Sequence, residues 1–423
     1  MNLKDTSSLD YFKELKLQLE LPDPRKPAPE VDPLPPADGG VRAWLTLFGA
    51  ESRWLTVAAT FGYTNAFGVY QDLYTREHTA SATRVSWIGS TQLFLIIAAG
   101  LPAGKLHDMG YFRHVVLTGS VIYTLSLFLL SFADPEKYYQ LFLSQGLGMG
   151  IGAGLVYIPC LAVQAEHWRV RRSLALGAVT TGVAVGGIVF PIMLNQLFHS
   201  SVGYAWGIRA SAFLVMGMLA VSNCLMTSYP RRHASEDSST DFGALLKDVP
   251  YMLLSVAGLF IIWGLYFPFF YIQLYAILHG MDPTFAFYTL AILNAASVPG
   301  RIVPNLMTGR VGPINLGLIA SVGCAGLTFA LFGVTSVAGI VVFAILYGFF
   351  SGAFLSMFSP AITMMSKNER ELGIRLGFAS TLSSIGALTG TPIDGALLGA
   401  TFPWSKPISF NGLLAKQRGT QIV

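Results

Sequence analysis

Arg301 stands late in an apolar run over residues 283–306. A guanidinium at membrane depth costs several kcal/mol unless it meets water, a partner or a ligand. Its planar fork of donors suits a carboxylate, held through two parallel hydrogen bonds. A side chain this late in the run can also snorkel to the aqueous surface, so a substrate or gating role and an interfacial one both stay open. Glu51 and Arg53 open the first apolar run and are expected to pair at the interface. Asp394 closes the last run; it is expected at the interface, exposed, and would be able to carry a proton if buried. Tyr63, Asn65, Tyr157, Tyr266, Tyr271, Gln273 and Asn294 are polar or aromatic groups on apolar runs. They are candidates to line a central cavity, against the competing assignment of tyrosines to the interfacial belts.

Catalytic and metal chemistry find no such footing. Cys160, Cys224 and Cys324 lie in apolar runs without metal-ligand spacing and are expected to pack. No cluster of His, Glu or Ser suggests an enzyme, and neither metal nor cofactor is expected. The stretch from Gly100 to Leu106 has a partial likeness to a phosphate loop, but it is one residue short and lacks Ser or Thr after Lys105. ATP hydrolysis is therefore excluded as the driving force, leaving an ion gradient, protons among the options, or the gradient of the solute itself.

The elements that position these residues are set by composition. Of 423 residues 53% are apolar and only 12% charged, with a mean hydropathy of +0.55. That is about half the charge of a soluble domain, so lipid is the solvent for most of the exterior. The net charge of +4 falls in short clusters between apolar runs, which argues against a nucleic-acid partner. Apolar runs near 44–70, 85–106, 114–133, 138–163, 173–198, 204–228, 249–275, 283–306, 313–333, 335–361 and 372–398 predict eleven membrane helices. Each is long enough to cross ~30 Å of hydrocarbon at ~1.5 Å per residue. Residues 1–43, with seven prolines between Pro22 and Pro36, are expected to be a disordered cytoplasmic tail. Residues 229–248 read as a cytoplasmic linker between bundles over 44–228 and 249–398. With a cytoplasmic N-terminus, twelve basic loop residues fall inside against four outside, a positive-inside bias. Residues 399–423 read as a truncated start of a twelfth helix, too short to span.

The runs repeat. Helix four carries Gly152 and Pro159, and helix ten carries Gly352 and Pro360; helix five carries Pro191 and helix eleven Pro392. Pro159 to Pro360 and Pro191 to Pro392 are both offset by 201, Arg172 to Arg375 by 203 and Gly100 to Gly300 by 200. A shared register points to duplication of a six-helix unit. Small residues allow close helix approach, and proline allows bending, as rocking halves need.

Several segments carry a family likeness: Asp38-Gly39-Gly40-Val41-Arg42-Ala43-Trp44, Asn65 to Gln71, Gly104-Lys105-Leu106-His107-Asp108-Met109-Gly110-Tyr111-Phe112-Arg113, Gln145 to Pro159, Arg171 to Gly177, and Asn294 to Arg301. Together they resemble the fungal monocarboxylate-transporter-like branch of the major facilitator superfamily, from about residue 38 to 412. The resemblance implies an all-α membrane fold of two pseudo-symmetric six-helix bundles, the second lacking its last helix, and alternating access to a central cavity. It also implies that Gly104, Asp108 and Arg113 belong to a helix 2–3 gate in which charges pair across the halves. The corresponding loop of the second half has Thr308-Gly309-Arg310, where relatives often carry Asp, so the gate is expected to be asymmetric. Ser297 stands where proton-coupled animal members carry Asp, and Asn65 at their helix-one lysine. Those departures favour export over lactate-type uptake.

The function expected is thus secondary transport of a small organic solute, anionic if Arg301 binds it, as efflux of a fungal secondary metabolite across the plasma membrane. Uptake of a monocarboxylate or vitamin-like solute is the alternative. A non-transporting receptor or an inactive truncated form is the alternative of another class.

Overall fold

The computed structural model describes residues 52–76, 81–167, 172–226, 242–366, 369–399 and 403–416. The expected tail over 1–43 and residues 229–241 of the expected linker lie outside them; Phe242–Lys247, at the end of that linker, form a short helix. All regular elements described are helical. We number the long ones α1 (52–76), α2 (82–108), α3 (Phe112–Leu130), α4 (138–167), α5 (Arg172–Phe198), α6 (Gly203–Leu225), α7 (Val249–Leu278), α8 (Pro283–Val311), α9 (Pro313–Gly333), α10 (Val337–Met364), α11 (Glu369–Leu398) and α12 (Ser405–Lys416).

Lipid dictates this choice, because a backbone without water must satisfy its own hydrogen bonds. Nine helices among the described residues are long and apolar enough to cross a membrane. Of the expected first span, residues 44–51 fall outside the described chain and the rest belongs to α1, which is broken at Asn65 and Ala66. The expected last span forms α11, 30 residues long, but it is not among the nine. Its buried Ser383, Ser384 and Thr391 show why: its face towards the protein is polar.

The radial pattern is the reverse of a soluble protein. On α3, Leu117, Val121, Leu125 and Leu129 recur every fourth residue on one face, each more than half exposed, while Ser120, Tyr123 and Ser126 are buried. Gln71, Gln92, Gln145, Asn294 and Arg301 are buried as well. An apolar exterior around a polar interior is what a lipid solvent selects.

Packing follows two matching sets. α1 packs on α5 as α7 packs on α11; α2 on α4 as α8 on α10; α3 on α6 as α9 on α12; and α3 on α4 as α9 on α10. Between the sets, α2 meets α11 and α5 meets α8, again a matched pair, and α1 meets α7. The close contacts repeat residue by residue. Cβ atoms at Gly182 and Gly186 of α5 would collide with the carbonyls of Trp54 and Ala58 of α1; at Gly386 and Gly390 of α11 they would collide with those of Leu259 and Trp263 of α7. Only hydrogen in place of a side chain lets these backbones touch.

One pairing differs from the sequence register. Gly352 of α10 faces the Ser297 carbonyl of α8, where a Cβ would come within 2.6 Å. Gly152 of α4 faces α3 instead, at Tyr123; Gly154, against the Leu95 carbonyl of α2, is the spatial counterpart of Gly352. Two residues along a helix turn the contact by about 200°, so the partner depends on helix face rather than on offset. Pro159, Pro191, Pro360 and Pro392 all lie inside their helices.

Candidate functional site

The two halves meet where α1 and α7 are both interrupted. α1 passes through a π-helical segment, Ala58–Gly62, and a turn at Asn65. α7 breaks at Tyr266, and Pro268 just beyond removes a backbone donor. At this break the Tyr347 hydroxyl of α10 donates to the Leu265 carbonyl at 2.9 Å. Breaks of this kind free polar groups and are tolerated in a membrane where protein or a cavity covers them.

Arg301 lies on α8 beside this crossing. Gly300 seats α8 directly on the Phe349 carbonyl of α10, and Arg301 is only 4% exposed. Its guanidinium lies within electrostatic reach of Tyr157 of α4 and Tyr266 of α7. No hydrogen bond is made by its Nε, and no carboxylate among the described residues pairs with it. The side chain is thus enclosed by protein. A buried guanidinium with no carboxylate partner among the described residues has donors that the oxygens of an anion would satisfy.

The other expected cavity residues separate into three places. Asn65 of α1 donates to the Asn294 side-chain oxygen of α8 at 3.4 Å, and Asn294 donates in turn to the Leu290 carbonyl. A Cβ at Gly187 of α5 would come within 2.6 Å of that same oxygen, so three helices from both halves meet at Asn294. Tyr63 points elsewhere, into the first bundle, where its hydroxyl meets Ser211 at 3.0 Å and Tyr70 at 2.5 Å. Tyr271 also leaves the centre; its hydroxyl meets Ser86 of α2 at 2.9 Å and donates to the Thr391 carbonyl of α11 at 3.2 Å. These two tyrosines are fully buried and committed to other partners.

Tyr271 belongs to a closure at the end of the molecule opposite the α6–α7 connection. Ser90 and Thr391 hydroxyls meet there at 2.5 Å, and the Phe67 and Phe270 rings lie 5.3 Å apart, both against Gly89. At the connection end, α5 and α8 approach at Gly177, where a Cβ would fall 2.8 Å from the Arg301 carbonyl. The hydroxyls of the closure had no distinguishing sequence signal. Ser and Thr are common in membrane helices and often serve their own backbone, as Thr56, Thr60 and Thr64 do in α1 by donating four residues back.

The charged residues divide similarly. Arg375 is buried against Asp248 at 2.8 Å, lies over the Tyr251 ring at 4.8 Å, and ties α11 to the start of α7. Arg53 is 2% exposed, and Glu51 lies outside the described residues. Asp394 overturns its expected exposure: it is fully buried, and Asn411 of α12 donates to it at 2.7 Å. The short α12 covers this part of α11 and excludes solvent. At the α2–α3 connection, Gly104 has no neighbour within 4 Å of a Cβ position, Arg113 is exposed, and the side chain of Asp108 lies outside the described residues.

The profile of the Major Facilitator Superfamily matches residues 54–342. The chain belongs to that superfamily. This facilitator is 37% identical over 375 residues to the aspyridones efflux protein of Emericella nidulans, spanning 88% of this chain and 74% of that one. It is 37% identical over 384 residues to an MFS-type transporter of Aspergillus niger, spanning 90% and 87%. With the agnestins efflux protein of Paecilomyces divaricatus it shares 36% identity over 361 residues, 84% and 81% of the two chains. Among solved structures, the nucleoside transporter NupG superposes with a TM-score of 0.67 over 89% of this facilitator and 98% of that chain, at 13% identity. That likeness concerns the fold alone, and it agrees with the paired packing of α1–α6 and α7–α12.

Proposed function

We propose that this facilitator exports a small, acidic fungal metabolite by alternating access, with Arg301 holding the acidic group. The observation that carries this reading is the buried guanidinium with no carboxylate among the described residues to pair with it, placed where the halves meet. The relatives named as efflux proteins support the direction. Tyr157 and Tyr266 would flank the bound anion, and Asn65 with Asn294 would hold the halves together about two turns away along α8. Membership of the monocarboxylate-transporter-like branch rests on the motifs around Asp38, Asp108 and Arg301. We place the N-terminus in the cytoplasm and the protein in the plasma membrane on the distribution of basic loop residues. The bundles then run over 44–228 and 249–398 with the linker at 229–248, and Gly104, Asp108 and Arg113 form a cytoplasmic gate.

A panel of aromatic and aliphatic carboxylic acids, each with its methyl ester, tests the site. Acids should raise the melting temperature of the purified protein where their esters do not, and Arg301→Ala should erase the difference. Equal responses to acids and esters in the wild type would sink the assignment. Everted vesicles should then accumulate the acids that bind.

A further inference from the structure

We propose that Asp394, held by Asn411, is a proton-binding carboxyl that must be neutral for α2 and α11 to close on one another. Solute flux becomes proton-dependent through it, a clause that rests on the transport reading above.

The site is built from four helices of the second half. Asp394 of α11 is fully buried, and one carboxyl oxygen accepts from the Asn411 amide of α12 at 2.7 Å. The other oxygen, Oδ2, is buried with no partner, and so is Oδ1 of the same Asn411. Tyr271 of α7 and Tyr347 of α10 are the titratable groups within electrostatic reach of it. Both hydroxyls are engaged elsewhere, with Ser86 and the Thr391 carbonyl for Tyr271 and the Leu265 carbonyl for Tyr347. From α2, the side chains at this contact are the neutral Ser86 and Ser90. Among the described residues no lysine, arginine or histidine acts on the carboxyl.

An ionised carboxylate in such a place would lack both water and a counter-charge, which is strongly unfavourable. A proton on Oδ2 removes the charge. A hard metal cation is a poorer fit, since calcium and magnesium collect about six or more oxygens, and the Asp394–Asn411 pair offers two unpartnered buried oxygens, Oδ2 of the acid and Oδ1 of the amide. The position supplies the consequence. Asp394 lies one turn beyond Thr391, whose hydroxyl meets Ser90 of α2, and it adjoins Gly395, where a Cβ would lie 2.9 Å from the Tyr271 hydroxyl and 3.2 Å from Thr83 of α2. Separating α2 from α11 admits water beside the carboxyl and lets it ionise. Binding of the proton and closure therefore favour each other, and by linkage each strengthens the other by the same factor.

The test needs no solute. Full-length protein in liposomes is examined by infrared spectroscopy in D2O for the C=O stretch of a protonated carboxyl. The wild type should show that band at neutral pH and Asp394→Asn should lose it. Asn411→Leu, which removes the donor and keeps the acid, should shift the band in frequency and retain it; this arm serves even where Asp394→Asn folds poorly. Spin labels on Ser81→Cys and Ala396→Cys, in a Cys224→Ser background, report the separation of α2 and α11. Alkaline pH should add a long-distance population in the wild type and none in Asp394→Asn. A band unchanged in both variants, or a pH-driven opening that survives Asp394→Asn, overturns the proposal. An intact band and pH response with no flux of any acid that binds would instead remove the transport reading and leave the proton site standing.

Discussion

Arg301 and Arg375 are the same residue type at nearly the same burial, 4% and 3% exposed, yet replacing each by methionine should move stability in opposite directions. Methionine keeps much of the apolar stem and removes the charge. Arg375 pairs with Asp248 at 2.8 Å and lies over Tyr251. Its loss removes one partner of a mostly buried carboxylate that also accepts from the Tyr251 N–H; breaking a fully buried pair costs ~3–5 kcal/mol, and the cost is less here, because Asp248 keeps that contact and 19% of its side-chain exposure. Arg301 has no carboxylate partner among the described residues. Arg301→Met abolishes a desolvation cost and strands no partner, so a gain of ~1–4 kcal/mol is expected, the range seen when buried ions give way to apolar groups. Thermal denaturation in detergent, followed by tryptophan fluorescence, should show the Arg301→Met midpoint several degrees above wild type and the Arg375→Met midpoint below it. An acidic ligand at about 100 times its Kd should stabilise the wild type by ~2.7 kcal/mol and leave Arg301→Met unmoved. Should Arg301→Met lower the midpoint as Arg375→Met does, the picture of a guanidinium kept vacant for an anion is refuted.

The pseudo-symmetric glycines make a paired prediction: Gly186→Ala and Gly390→Ala push a methyl into the Ala58 and Trp263 carbonyls, and each should cost ~1–3 kcal/mol of thermal stability by overpacking, the two effects agreeing within about a factor of two. Thr391→Val removes the hydroxyl that meets Ser90; hydrogen bonds between membrane helices are worth ~0.6 kcal/mol on average, so the labels on Ser81→Cys and Ala396→Cys should report a roughly threefold larger open population. In the α3–α4 loop, the Glu136 backbone N–H and then Lys137 hold the Asp134 carboxyl below its ordinary range. Its folded value lies below the unfolded one, so its contribution is present above about pH 4 and is lost as pH falls through the folded value; the midpoint difference between wild type and Asp134→Asn should shrink on acidification.

Much of the architecture is legible in the sequence because the bilayer leaves few choices. Runs of about twenty apolar residues become helices wherever no water can satisfy the backbone, and the Pro159–Pro360 and Pro191–Pro392 offsets carry the duplication that the packing of α1–α5 and α7–α11 reproduces. Arg301 is legible for the same reason, since a charge inside an apolar run demands an account. Which face a residue presents was decided only by the tertiary structure. Gly152 and Gly154 differ by two positions and pack on different helices. Tyr63, Tyr157 and Tyr271 look alike as tyrosines on apolar runs, but one bonds within the first bundle, one lies within electrostatic reach of the arginine and one closes the end of the molecule. Asp394 marks the same boundary. Its place near the end of a helix implied contact with the surface; α12 packed over it, and Asn411 took the place of water. Local sequence sets the cost of a polar group in lipid, and only the assembled helices determine which partner meets it.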